Sequence, residues 1–239
     1  MDFGYAFGYA FKDPDWFKKL AIMGLVTLIP VLGQFVLIGW MMALMRRVIN
    51  RQEPALLPDL DFSAQLSDGF KAFVVGIVYQ APTLAVYILY VIVSAILIAI
   101  GNTAEGDIFD VIMTIVSVLG ACTVILVILY SLFASLLIPA AYAKVATEGT
   151  IKAGLQFKEV IATVKASIGS YLLALLGTLL ATAIIAPLGS IACGLGVLLT
   201  VPFAMTVNAA LYGMAYNVAQ GNRGLSAPLP PVDTNLNTL

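Results

Sequence analysis

Four stretches of this chain hold no lysine, arginine, aspartate or glutamate: 20–45, 72–100, 111–143 and 171–219. Each exceeds the roughly 20 apolar residues that carry an α-helix across a bilayer. In hydrocarbon a backbone amide or carbonyl finds no water. The chain must then satisfy those groups itself, which a helix does within one segment. The remainder is too poor in charge to build a water-facing surface. Charged residues make up 10% of the sequence and hydrophobic ones 61%, against about 25% charged in a soluble domain. The expectation is an all-α, polytopic helical membrane protein.

The first stretch sets the sidedness of the others. It reads KKLAIMGLVTLIPVLGQFVLIGWMMALMRR, with Lys18 and Lys19 at one end and Arg46 and Arg47 at the other. Pro30, Gly33 and Gln34 sit near its middle. It is long enough to span once, or to dip and return as two short helices. Pro30 interrupts the hydrogen-bond ladder, and Gly33 permits a turn. The bases decide between the two. Of the 12 Lys and Arg, none falls between 101 and 110 or near Pro187. If 72–143 and 171–219 are hairpins, those two turns lie outside, and the basic connections lie on the cytoplasmic side. A single span strands Lys12, Lys18 and Lys19 outside; a dip keeps all the bases inside. The reading is therefore four transmembrane helices plus an N-terminal broken, re-entrant hairpin, in a multi-pass protein of the cell (inner) membrane with both termini cytoplasmic. A non-helical turn at depth needs cover from protein, so the two hairpins are expected to pack around Pro30 and Gly33. Pro30 also leaves the Val26 carbonyl without its helical amide. Gln34, water, or Gln80 or Asn208 from a covering helix would serve it.

The chain divides into an aromatic arm and interfacial helix start (1–19), a helical membrane domain (20–219) and a polar tail (220–239). In the arm, FGYAFGYAF repeats aromatics every four residues or fewer, as an interfacial patch or a docking arm for a neighbouring subunit. Asp13 is placed to cap a helix opening with Pro14 and Asp15. Trp16, Lys18, Lys19, Arg46 and Arg47 suit the headgroup layer. Two interfacial helices are expected, one from Phe62 to Phe70 capped by Asp61, the other around Phe157, Val160, Ile161 and Val164. Breaks or kinks are expected at Pro82, Pro187 and Pro202. Small residues crowd the last hairpin, with Gly177 and Ala181 four apart, then Gly189, Ala192, Gly194 and Gly196. Cys122 and Cys193 read as buried free thiols. The leader is aromatic and acidic, unlike a cleaved signal peptide.

The run FKDPDWFKKLAIMGLVTLIPVLGQ, then Arg46-Arg47-Val48-Ile49, Pro58 to Asp61 and Asp68-Gly69-Phe70-Lys71, resembles a family of prokaryotic membrane proteins, the domain of unknown function 4013. The resemblance resumes at Ala141-Tyr142-Ala143, Gly149, Phe157-Lys158-Glu159 and Val201-Pro202 through Leu211-Tyr212-Gly213, and covers about residues 11–219. The chain has Gly33 where many relatives are expected to carry Asn. The resemblance implies an α-helical membrane domain, and no catalytic residues.

Function is narrowed mainly by exclusion. There are no histidines, which removes His general bases, Ser-His-Asp triads and His-ligated haem or zinc. Two cysteines cannot supply a four-thiolate zinc site. Asp59-Leu60-Asp61 is a conceivable Mg²⁺ ligand pair, but capping and turn formation account for it. No catalytic residue, cofactor or metal site is assigned. A net charge of -1 gives no field to draw nucleic acid. Transport of a neutral or lipid-like solute draws on Pro30, Pro82, Pro187 and Pro202 as helix breaks. A structural or accessory, membrane-shaping subunit draws on the small-residue faces. Its partners would be membrane lipids and either further copies of itself or the subunits of a membrane complex.

Overall fold

Local signals set where the helices begin and end. A computed structural model describes residues 2–103, 107–191 and 196–224. Asp2 accepts the Tyr5 amide and opens α1, Phe3–Gly8. A 3₁₀ turn, Ala10–Lys12, leads to α2, Trp16–Val26. After a break comes α3, Leu32–Ile49. Asp61 caps α4, Phe62–Gly101, through the Ala64 amide. α5 runs Asp107–Glu148 and ends where Gly149 takes a positive φ of 70° and donates its amide to the Val145 carbonyl. The short α6, Ile151–Gly154, is capped by Thr150. α7 is Phe157–Ala166, α8 Ile168–Ile191 and α9 Val197–Asn222. No strand occurs among the described residues.

The core gathers around α3, which packs on α4 and on α9. Trp40, Leu37, Met42, Leu44 and Met45 of α3 are fully buried, joined by Tyr9, Leu20, Met23 and Leu211. α3 and α4 run antiparallel and touch backbone to backbone. A side chain at Gly39 would strike the Gln65 carbonyl, and one at Gly69 would strike the Phe35 carbonyl. Gly24 of α2 meets the Leu198 carbonyl at the start of α9 in the same way.

α4 and α5 are very long, 40 and 42 residues, and their far halves stand clear of the core. From 80 to 133, the buried residues among those described are Ser94 and Gly101 in α4 and Ile112 and Val116 in α5. Leucine, isoleucine and valine cover the remaining faces and are exposed. Five helices are long and apolar enough to cross a membrane: α3, α4, α5, α8 and α9. The fifth, against the four expected, is α3, the second limb of the broken stretch.

The structure departs from the expectations in several places. Phe62 to Phe70 is not a separate surface helix; it forms the first turns of α4, because no breaker separates it from the apolar run. The second amphipathic helix exists as α7, but Val160 and Val164 face the protein core. The aromatic arm folds back on its own chain: Ala6, Tyr9 and Ala10 are buried, and Phe3 packs at Gly177. α8 continues through Pro187 to Ile191 rather than breaking at 186–190, and Ala192, Cys193 and Gly194 lie outside the described residues. Gly177 is filled by Leu211, Ala181 is buried and Gly189 meets Thr200, so these small positions serve packing within the chain. Cys122 is exposed on α5, not buried.

Candidate functional site

The interrupted stretch turns back on itself. The Lys19 ammonium, early in α2, donates to the Leu57 carbonyl at 2.9 Å. The Trp40 indole, halfway along α3, donates to the Pro58 carbonyl at 2.8 Å. Both limbs therefore meet one short segment of the α3–α4 loop. The turn between them, residues 27–31, closes with local bonds. The Ile29 amide donates to the Val26 carbonyl at 3.0 Å, the Gly33 amide to the Ile29 carbonyl at 3.0 Å, and the Leu32 amide to the Pro30 carbonyl at 2.7 Å. The last spans Val31, whose φ of 65° and ψ of -60° make a γ-turn of the rare, strained kind.

Two expectations about this turn fail for one reason. The Val26 carbonyl that Pro30 cannot serve is taken by the Ile29 amide, so no side chain is needed for it. Gln34 is exposed, Gln80 accepts from the Thr83 hydroxyl at 3.3 Å, and the Asn208 side-chain carbonyl is enclosed without a partner. Nor is the turn covered by the hairpins: Leu28, Ile29, Val31 and Leu32 are exposed. A backbone that tightens to 3₁₀ and γ bonds satisfies itself, which leaves its apolar tip free.

A β-branched residue at positive φ is strained by about 1–3 kcal/mol. Val31→Gly is expected to raise stability by about 1 kcal/mol, net of the extra freedom glycine has in the unfolded chain. Thermal unfolding in detergent measures it; a lower midpoint would remove strain as the explanation.

Around the base of this hairpin the charged side chains are joined in a clasp. Asp13, 1% exposed, accepts from the Lys19 ammonium at 2.9 Å and from the Leu57 amide at 2.8 Å through one oxygen, and from the Asp15 amide at 2.8 Å through the other. Asp13 thus ties three segments rather than capping α2. Burial pushes its carboxyl up, but these hydrogen bonds and the Lys19 charge outweigh burial and hold it below the ordinary carboxylate value. Lys19 also meets Asp59 at 3.1 Å. From α3, Arg46 reaches Asp68 at 3.0 Å and the Ala146 carbonyl of α5 at 2.6 Å, while Arg47 donates to the Leu56 carbonyl at 3.0 Å. Lys71 joins Asp68 at 2.9 Å. Of the five residues read as interfacial, Lys18 is exposed, Trp16 stacks edge-on to Phe11 and Phe17, and the other three are committed to protein acceptors.

The other prolines read as breaks, Pro82, Pro187 and Pro202, lie inside continuous helices. Pro82 gives α4 no amide, which interrupts its ladder, and beside the gap the Tyr130 hydroxyl of α5 donates to the Tyr79 carbonyl at 2.8 Å. The Tyr79 hydroxyl in turn donates to the Gly154 carbonyl at 3.0 Å. Pro202 lies buried within α9. Sequence reasoning missed Asp68, Tyr79 and Tyr130 as tie points. The signal was a hydroxyl near a proline in an apolar run, and a carboxylate one turn into a helix.

Asp61 caps a helix and Asp59 pairs with Lys19, and no group of three acidic or cysteine side chains is placed to hold a metal among the described residues. What the fold and the clasp define is a helical membrane protein whose polar residues bind its own backbone together. The chain belongs to the family described as protein of unknown function (DUF4013), whose model matches residues 22–195. No curated protein and no solved structure matches it.

Proposed function

We propose that this protein is a non-catalytic integral membrane subunit that shapes or supports a larger assembly in the cell membrane, with both termini on the cytoplasmic side. The observation that carries the reading is the α4–α5 hairpin. Over residues 80–100 and 111–133 most of its leucine, isoleucine and valine side chains are exposed and only a narrow seam is buried, so its outer surface is available to lipid and to other helices. The re-entrant course of 20–45 is supported by the clasp, where Lys19 from the entry and Arg46 and Arg47 from the exit meet the same loop and helix start. At 11 residues α2 is about 16 Å long, too short to cross a core of about 30 Å.

Two measurements test this. In a cysteine-free variant, cysteines at Asn102 and Ser190 should react with an impermeant thiol reagent from outside, and one at Thr150 should not; the reverse pattern ends the topology. Native mass measurement from mild detergent should find a stoichiometric partner or a homo-oligomer. A monodisperse monomer that takes up a neutral solute in liposomes would put transport in its place.

A further inference from the structure

Between α3, the α3–α4 loop and the start of α4 lies an open cleft of about 440 Å³. Its chemistry is carried by Arg46, Arg47, Asp59, Asp61, Gln65 and Asp68. Three of the six are taken. Asp68 is bound by Arg46 and Lys71, Arg46 is further held by the Ala146 carbonyl, and Asp59 pairs with Lys19 through one oxygen. The other three have capacity left. Arg47 spends one nitrogen on the Leu56 carbonyl and has no carboxylate within ion-pair distance among the described residues. Asp61 receives the Ala64 amide and, among the described residues, no cation. Gln65 is 4% exposed; its amide nitrogen donates to the Asp59 carbonyl at 2.7 Å, while its side-chain oxygen is enclosed and has no donor.

A buried acceptor without a donor is a cost that native structures rarely carry. Gln65 lines the cleft beside a guanidinium that has no carboxylate partner and a carboxylate that has no cation among the described residues. One ligand supplies all three needs if it carries a primary ammonium and an oxyanion a few bonds apart. The ammonium donates to the Gln65 oxygen and to Asp61, and the oxyanion takes the planar fork of Arg47. The lining contains no aromatic ring, so it lacks the cage that a quaternary ammonium uses. The cleft opens at the polar ends of two helices apolar enough to cross a membrane, α3 and α4, the level at which headgroups lie. We propose that this cleft binds a phosphoethanolamine group, either free or at the head of a phospholipid.

The full chain in a neutral detergent is titrated with O-phosphoethanolamine, O-phosphocholine and the two corresponding lysophospholipids while thermal unfolding is followed. Occupancy should raise the midpoint by about 5 °C at saturation with an ethanolamine form, and the choline forms should leave it in place. Arg47→Gln should abolish the shift, and Asp61→Asn, which keeps the helix cap, should reduce it. A shift with the lysolipid alone means the group is read on a lipid; a shift with both means the free group suffices. No shift with either ethanolamine form, an equal shift with choline, or a full shift in Arg47→Gln overturns the proposal. Should Arg47→Gln fold poorly, the ³¹P signal of O-phosphoethanolamine with the parent chain reads occupancy directly, and an unmoved, unbroadened line counts against it.

Discussion

Asp13→Ala is expected to lower stability by about 3 kcal/mol, one of the two largest single-site losses foreseen in the chain. Removing one member of a buried, hydrogen-bonded ion pair leaves the other charge and its donors uncompensated. Here the Leu57 amide loses its acceptor outright, and Lys19 keeps only the Leu57 carbonyl and the exposed Asp59. The loss should be read by thermal unfolding in detergent, with α2 and the α3–α4 loop becoming protease-sensitive together. The pH dependence is fixed in sign. The folded Asp13 has a pKa below its ordinary 3.8. Its stabilising effect is therefore complete above about pH 4 and is lost as pH falls through the lower, folded value. Asp13→Asn should flatten the acid limb of the stability curve. An unchanged acid limb in Asp13→Asn would show that other carboxylates control it.

Gly69→Val should be at least as damaging, for a reason unconnected with charge. A Cβ at Gly69 would run into the Phe35 carbonyl and the Gly39 amide, and one at Gly39 into the Gln65 carbonyl. Added carbon there meets rigid backbone, not the movable end of a side chain. The axes of α3 and α4 must part, and the seam that buries Trp40, Gln65 and Ala72 opens with them. Overpacking costs about 1–3 kcal/mol where neighbours can adjust, and this site has little to adjust, so a loss of about 3 kcal/mol or more is expected. A disulfide between cysteines on facing turns of α3 and α4, formed in the parent and absent in Gly69→Val, is the direct check. A valine variant with the parent's midpoint and cross-link would show that the helices tolerate separation.

The membrane class could be read from the charge-free runs because solvation leaves a chain of this composition little choice. The interruption at Pro30 was legible too, since a proline and a nearby glycine are local signals. How the turn satisfies itself was not. Whether the Val26 carbonyl finds Gln34 or the Ile29 amide depends on φ and ψ at Val31, and no residue type announces a strained γ-turn at valine. The clasp was half visible. Arg46, Arg47 and Lys19 stood out as charges, but a positive-inside count treats them as labels of a compartment. Their acceptors are backbone carbonyls, which every sequence has and none advertises. The α7 face was identified from its period, but the period is the same whether lipid or protein covers it.

The length of the α4–α5 hairpin has a mechanical meaning. Forty helical residues extend about 60 Å, and their charge-free portions exceed the roughly 30 Å of an ordinary hydrocarbon slab. Such a hairpin must lean, bend or draw the surrounding lipid thicker, each at an elastic cost that depends on acyl-chain length. At Pro82 the ladder lacks the amide that would serve the Val78 carbonyl, and one residue further on the Tyr130 hydroxyl donates to the Tyr79 carbonyl. That bond is one link from Gly154 and the α6–α7 connection. Bilayer thickness would therefore bear on a hairpin that the Tyr79 hydroxyl ties, through the Gly154 carbonyl, to the polar end of the molecule.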